Sequence, residues 1–417
     1  MNKIERLIEE HCPEGVNHKE LKKIGYLYGG LTGKNKSDFK DGNAKFITYM
    51  NVFSNIAVKT DINNFVKISV NEKQNRVEYG DILFTSSSET PDECGMSSVL
   101  TEKVLEPLYL NSFCFGLRIT EEDLLLPDFS KYLFRDDNIR KQINKAANGV
   151  TRFNISKKQF EKVVIPIPPL PVQQEIVNIL DKFTQLEEKL KAELEARRKQ
   201  YDFYRNKLLT FTPPHRVNDT YTGSYIEWVK IKDICKKITS GGTPLTSNAE
   251  YYNGNIPWLR TQEVNWKGIY ETEIKITELG LKNSSAKWIP KNCVIVAMYG
   301  ATTARVGINK IPLTTNQACC NLEIDELKAN YKYVYYWLCK EYENLKGLGE
   351  GSQSNINSNK VKEYKIPIPP LSEQERIVSI LDKFDALVND TNIGIQAEIE
   401  ARHKQYEYYR NKLLTFA

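Results

Sequence analysis

Ile165-Pro166-Ile167-Pro168-Pro169-Leu170 returns 201 residues later (366 − 165) as Ile366-Pro367-Ile368-Pro369-Pro370-Leu371. Ile176-Val177-Asn178-Ile179-Leu180-Asp181-Lys182-Phe183 then returns as Ile377-Val378-Ser379-Ile380-Leu381-Asp382-Lys383-Phe384. The run opening Glu195-Ala196-Arg197 and ending at Phe211 returns, little changed, as Glu400-Ala401-Arg402 to Phe416. A repeat of this length is a duplicated structural unit. The stretches between the copies match poorly, so the organisation is a constant frame carrying two different variable units.

Each copy opens as extended chain, because a residue before proline is pushed out of the helical region. A helix is expected straight after it. Ser372 with Glu375 makes a capping-box pair in the second copy, and Pro171 with Gln174 takes those places in the first. Ile176, Leu180, Phe183, Leu190, Leu194, Tyr201, Tyr204 and Leu208 then recur at mostly three-four spacing, with Glu187 and Arg197 filling two positions of the series. The second stripe is Ile377, Leu381, Phe384, Val388, Ile395, Ile399, Tyr406, Tyr409 and Leu413. These are coiled-coil stripes, and residues 172–209 would span ~57 Å of helix. Two matching stripes in one chain most simply pack on each other.

The copies differ in length at one place. Phe183 aligns with Phe384 at an offset of 201 (384 − 183), but Ala192 aligns with Ala397 at 205 (397 − 192). The second copy therefore holds four extra residues (205 − 201) within 385–396. Kept helical, they are a stutter that lengthens the arm by ~6 Å. Gly394 weakens the helix there, which allows a kink.

A chain of 417 residues has room for two or three domains. Its 58 basic and 53 acidic residues leave a net charge of +5, too little to demonstrate a polyanion partner. Lys22, Lys23, Lys34, Lys36, Lys40 and Lys45 do cluster in sequence, although charge alone favours a solvated lysine-rich surface. No apolar run approaches the ~20 residues of a membrane-spanning helix, and Met1-Asn2-Lys3-Ile4-Glu5-Arg6 lacks the apolar core of a signal peptide. A cytoplasmic location with reduced thiols is expected. The eight cysteines form no CxxC pair and the four histidines lie far apart, which argues against a metal site.

Residues 81–85, 113–119, 294–299 and 318–322 read as strands. Residues 130–146 and 328–343 read as helices, and Gly/Asn/Ser loops at 148–154 and 350–355 close the two variable units. The boundaries expected are 1–164 for the first unit, 165–211 for the first helical region and 212–227 for a linker around Pro213-Pro214. The second unit follows at 228–365 and the second helical region at 366–417.

These motifs resemble the DNA-specificity subunit of Type I restriction-modification systems. The resemblance rests on Ile-Pro-Ile-Pro-Pro-Leu followed by Gln-Glu-x-Ile-Val and Ile-Leu-Asp. It rests also on Ser240-Gly241-Gly242-Thr243-Pro244, on Tyr252-Asn253-Gly254-Asn255-Ile256-Pro257-Trp258-Leu259, on the run from Gly300 to Gly307, and on Asn316-Gln317-Ala318-Cys319-Cys320. It covers essentially the whole chain. The first unit departs more, with Gly29-Gly30-Leu31-Thr32-Gly33 and Ser86-Ser87-Ser88-Glu89 in similar places. The resemblance implies an α+β fold: two mixed β-rich target-recognition domains separated by two long helices that form an antiparallel coiled coil, related by a pseudo-twofold repeat. It implies that each domain reads half of a bipartite sequence in double-stranded DNA while the helices set the unread gap. It also implies no chemistry in this chain. Two modification subunits would methylate adenine with S-adenosylmethionine, and restriction subunits would cleave with ATP and Mg.

Bases are read by Arg, Lys, Asn, Gln, Ser and Thr on loops or helix ends, and phosphates mostly by Lys and Arg. The candidates in the first unit are Lys34, Asn35, Lys36, Ser86, Ser87, Ser88, Thr151, Arg152 and Asn154. In the second they are Thr243, Ser247, Arg260, Gln262, Tyr299, Thr302, Thr303, Arg305, Ser352, Gln353 and Asn355. A minority should contact bases, because polar loop residues are more often solvated or simply turn-forming. Arg197, Tyr201, Tyr204, Arg205, Arg402, Tyr406, Tyr409 and Arg410 are candidates for docking the partner subunits. The competing reading is that these tyrosines fill the coiled-coil seam.

The chain carries no GxxxxGK[ST] loop and no Asn-Pro-Pro-aromatic methyltransferase motif. The rival function is a coiled-coil scaffold that binds protein instead of DNA.

Overall fold

The computed structural model describes residues 3–211, 226–349, 355–389 and 393–416. The chain divides into two units, one of Met1–Lys191 with Glu398–Ala417 and the other of Ala192–Ala397. Both frame helices therefore contribute to both units, and within each unit a frame helix from one copy lies beside the end of its counterpart.

In the first unit, strands Gly25–Gly29, Cys114–Ile119, Ile82–Thr85 and Ser97–Val99 form an antiparallel sheet in that order. Phe84, Phe115, Phe134 and Phe160 meet on one side of it with ring centroids 4.8–5.4 Å apart. Val172, Ile176, Val177 and Leu180 of the frame helix close the same core. A three-stranded sheet of Phe65–Val66, Ala44–Ile47 and Leu108–Leu110 lies beyond. In the second unit, Cys235–Ser240, Cys319–Ile324, Val294–Ala297 and Val306–Asn309 repeat the four-strand order, with Gly268–Ile269 added at the edge. The two variable units thus share a topology their residues do not reveal.

The proline segments are strands. Val164–Ile167 pairs antiparallel with Asn17–Glu20, and Lys365–Ile368 with Glu227–Lys230. Each pair has two strands, so the missing proline N–H can face away from the partner. The frame helices start at Leu170 and Leu371. The first intrahelical bonds run to proline carbonyls: Pro169 O accepts from the Val172 and Gln173 amides at 2.9 and 3.0 Å, and Pro370 O from Glu373 and Gln374 at 2.9 and 3.1 Å. Ser372 and Pro171 sit inside the first turn.

The first arm is one helix of 39 residues, Leu170–Leu208. The second is interrupted, with Leu371–Asn389 ending before Ile395–Leu414 begins. Asn389 matches Glu188 at offset 201, and Ile395 matches Leu190 at 205, so the four extra residues fall within 390–394. Of these, 390–392 lie outside the described residues. Ile393 and Gly394 are not helical, so the second arm does not run as one continuous helix, in keeping with the low helix propensity of glycine. The helical runs expected at 130–146 and 328–343 are each two helices, Pro127–Leu133 with Asp137–Lys145 and Tyr331–Lys340 with Tyr342–Gly347. In the first pair the buried Asp136 starts the second helix by accepting from the Asn138 and Ile139 amides. Among the described residues, no helix is long and apolar enough to cross a membrane.

Candidate nucleic-acid interface

Two duplicated clamps mount each variable unit on its frame helix. Gln173 is fully buried; its amide donates to the Leu124 and Pro168 carbonyls at 2.9 and 2.7 Å, and its carbonyl accepts from the Leu126 amide at 2.8 Å. Gln374 does the same, donating to Pro369 O and accepting from the Asn330 amide, both at 2.8 Å. About two turns further on, Asp181 accepts from Tyr132 at 2.6 Å and pairs with Lys131 at 2.9 Å. Asp382 accepts from Tyr336 at 2.7 Å and pairs with Lys332. Burial and the neighbouring carboxylate raise both phenols far above their usual pKa, so they remain donors. Sequence reasoning missed these four frame residues as anchors. A polar residue kept in both copies amid an apolar stripe was the available signal.

On the first unit, strand Ser87–Ser88 pairs with Phe153–Ile155, matching Ser88 with Phe153 and Ser87 with Asn154. That pairing joins the Ser86–Ser88 and Thr151–Asn154 candidates. Ser87, Ser88, Thr151 and Arg152 line one groove of about 790 Å³ with Tyr49, Met50, Phe53, Phe113, Glu89 and Glu93. Arg152 donates to the Ser87 hydroxyl, and Tyr49 to the Ser87 carbonyl at 2.8 Å. Ser86 is used structurally, its carbonyl accepting from the Ile155 amide. Gly149 has φ 149°, and a Cβ there would stand 2.0 Å from the Arg152 carbonyl oxygen, so this turn needs glycine.

Two half-buried arginines hold the groove walls. Arg135 donates to the Val52, Phe53 and Asn55 carbonyls at the end of helix Tyr49–Ser54 and to Ser97 O. Arg140 donates to Asp92, Cys94 and Gly95 carbonyls. Burial pushes both guanidiniums down to about 10, which leaves them charged at neutral pH. Lys34, Asn35 and Lys36 are not part of this groove. Lys34 pairs with Glu72 at 2.6 Å with its side chain 9% exposed, Asn35 caps the turn Lys36–Phe39, and Lys36 is exposed. The aromatic and Met residues of the groove went unread because they resemble core positions. Phe113 was taken into a strand that begins only at Cys114, leaving its ring 56% exposed.

In the second unit the Gly300 amide donates to Asn355 Oδ1 at 3.1 Å, joining the turn after Val294–Ala297 to the closing loop as in the first unit. Tyr299 is exposed beside it, whereas Thr302 and Thr303 are buried and the Thr303 hydroxyl is committed to Gly300 O. Thr243 bonds Gln317. Arg260 pairs with Glu273 at 2.8 Å, and Gln262 and Ser247 are exposed. Arg305 lies over the Trp266 ring at 4.7 Å and donates to Asn265. Ser352 and Gln353 lie outside the described residues.

On the helices, Tyr201 and Tyr406 are buried. Tyr204 stacks on Phe384 within the second unit, and Tyr409 on Phe183 within the first, both at 5.4 Å. These contacts are antiparallel, early in one helix against late in the other, and tyrosines do occupy the seam. Arg197 and Arg402 pair with Glu193 and Glu398 one turn back, Arg205 with Asp202, and Arg410 with Asp137. Phe203 and Tyr408, equivalent residues in the two copies, are each 60% exposed.

The family model for the Type I restriction modification DNA specificity domain matches residues 13–196 and 225–401. The chain is 37% identical over 274 residues to the specificity subunit of the Type I restriction enzyme EcoR124I/EcoR124II of Escherichia coli, covering 63% of this chain and 65% of that one. It is 33% identical over 288 residues to a putative type I restriction enzyme specificity subunit of Haemophilus influenzae, covering 64% and 68%. The matched stretch thus spans about two thirds of these relatives. Among solved structures, one from work on complex assembly and conformational transition of the type I R-M system superposes with a TM-score of 0.63 at 17% identity, covering 96% of this chain and 98% of that one. The Type-I restriction-modification S subunit of M. genitalium superposes at 0.53 with 16% identity, covering 96% of each. At such identities these two bear on the fold alone, and the fold agrees. With the duplicated frame, the shared sheet order and a family model spanning both halves, the chain belongs to the Type I restriction modification DNA specificity domain family.

Proposed function

We propose that this chain is the DNA-reading subunit of a Type I restriction-modification assembly, acting in the cytoplasm. Each variable unit reads one half of a two-part duplex target, and the helices between them set the unread gap. The reading loops are those around Ser86–Ser88 and Thr151–Asn154 in the first unit, and around Tyr299–Arg305 and Asn355 in the second. Two methyltransferase subunits, which bring S-adenosylmethionine, dock on the helices through the arginines of the repeat, with Phe203 and Tyr408 as outward anchors. Restriction subunits bring ATP and Mg, and no catalytic step is assigned to this chain.

The observation that carries this reading is the pairing of identical mounts with different loops. Gln173 and Asp181 recur as Gln374 and Asp382, each bonded to its own variable unit, yet the loops so mounted differ: Ser86-Ser87-Ser88-Glu89 in the first unit and Tyr299-Gly300-Ala301-Thr302 in the second. One mount serving two surfaces is what recognition of two different sequences requires.

The full chain with its methyltransferase partner is expected to bind duplex DNA with an affinity that falls steeply as salt rises. Sequencing that detects methylated adenine is expected to return a two-part target. If the partnered chain binds no DNA, the reading falls and the protein-binding scaffold replaces it.

A further inference from the structure

We infer that Arg152 reads a guanine in the half-site recognised by the first unit, an inference that rests on the DNA-reading function above. The guanidinium is held before DNA arrives. Its Nε and Nη2 donate to the Ser87 hydroxyl at 3.3 and 3.1 Å, and its Cζ lies 5.9 Å from the centre of the Phe113 ring. Ser87 is itself fixed by pairing with Asn154 and by the Tyr49 hydroxyl on its carbonyl. A planar guanidinium presents two donor edges. The Nε–Nη2 edge is spent on Ser87, so the Nη1–Nη2 edge faces away from it as a fork of two parallel N–H groups.

Two acceptors match such a fork, a phosphate or the O6/N7 edge of guanine. The groove decides between them. Glu89 and Glu93 line it with Arg152, and two carboxylates repel a full phosphate charge far more than an uncharged base edge. Glu93 accepts from the Ser88 and Thr90 hydroxyls at 3.1 and 3.0 Å through Oε2, which leaves Oε1 to accept from an amine. The partner of guanine offers one, the N4 amine of cytosine, whereas a thymine in that place would set its O4 acceptor against the carboxylate. Met50, 59% exposed, and Phe113 give the walls an apolar lining suited to base surfaces instead of backbone.

The experiment maps methylated adenines in cells that carry the full chain with its cognate methyltransferase and no other adenine methylation. Wild type, Arg152→Gln and Ser87→Ala are compared. Arg152→Gln is expected to relax one guanine in one half-site, with discrimination there falling on the order of 10- to 100-fold, while the other half-site stays as stringent. Ser87→Ala, which frees the arginine, is expected to relax the same position less. A uniform fall in methylation with every position still stringent makes Arg152 a phosphate contact and overturns the inference, as does a wild-type target with no guanine at any position that Arg152→Gln relaxes. In both of those outcomes the DNA-reading function stands. If the wild-type assembly yields no two-part target at all, that function falls and this inference with it.

Discussion

The Tyr132 hydroxyl donates to Asp181 at 2.6 Å, and the same bond recurs between Tyr336 and Asp382 at 2.7 Å. One partner of each pair lies in the variable unit and the other in the repeated helix. A reader of any sequence can be mounted if it presents tyrosine at that point. Tyr132→Phe should cost about 1.5–3 kcal/mol of stability, the usual contribution of a hydrogen bond to a charged group. A double-mutant cycle with Asp181→Asn, followed by urea unfolding, measures the coupling, and additivity would show that the bond contributes nothing.

Gln173 makes three buried hydrogen bonds to backbone groups. Gln173→Ala would strand the Leu126 amide and two carbonyls, and should cost about 3 kcal/mol. The equivalent Gln374→Ala should destabilise the second unit by a similar amount. Limited proteolysis localises the effect, with the cleavages expected to appear in the unit whose glutamine is missing.

Phe203 and Tyr408 make the opposite case. Both are 60% exposed, so their alanine variants should change stability by within ~0.5 kcal/mol. If they anchor the methyltransferase, the same changes weaken its binding at least tenfold, as buried aromatic anchors of interfaces do. Calorimetric titration of the chain with that subunit reads this directly, and undiminished affinity in the double variant would move the docking surface elsewhere.

Lys34 at 2.6 Å, then Gln74 and the Ser69 amide, hold the Glu72 carboxyl at about 2, below its ordinary 4.5. A folded-state value below the unfolded one means the contribution is complete above pH 4.5 and is lost as pH falls toward 2. Carboxyl NMR of the wild type should show this low midpoint, and Lys34→Ala should raise it. A wild-type midpoint near 4.5 would show that the pair does not persist in solution.

The four extra residues between Asn389 and Ile395 can be deleted to make the second arm match the first. If they contribute to the gap, the methylation map should show the two half-sites closer together in the deletion variant than in the wild type. An unchanged gap would assign the spacing to the unbroken helix Leu170–Leu208.

Much of the frame was legible because its signals are local. A proline pair forces extended chain, and a three-four stripe marks the helix that follows. Ile176, Leu180 and Ile377 are buried as that stripe requires. The insertion was legible as an offset between copies, but the break in the helix at Ile393 and Gly394 was not, because an insertion of about one turn satisfies helical periodicity whether or not the chain stays helical.

The groove belongs to the other class. Tyr49, Ser87, Phe113 and Arg152 are separated by tens of residues, and each alone reads as core or as turn. They converge because Ser87 pairs with Asn154 and because Arg135 ties the end of helix Tyr49–Ser54 to strand Ser97–Val99. Periodicity and proline placement act over a few residues, so a single chain displays them openly, and the duplicated frame could be read from them. Backbone pairing between distant strands uses groups that every residue carries, so nothing in the letters says which strands will meet. The shape and chemistry of the reading surface emerged only when those pairings were made.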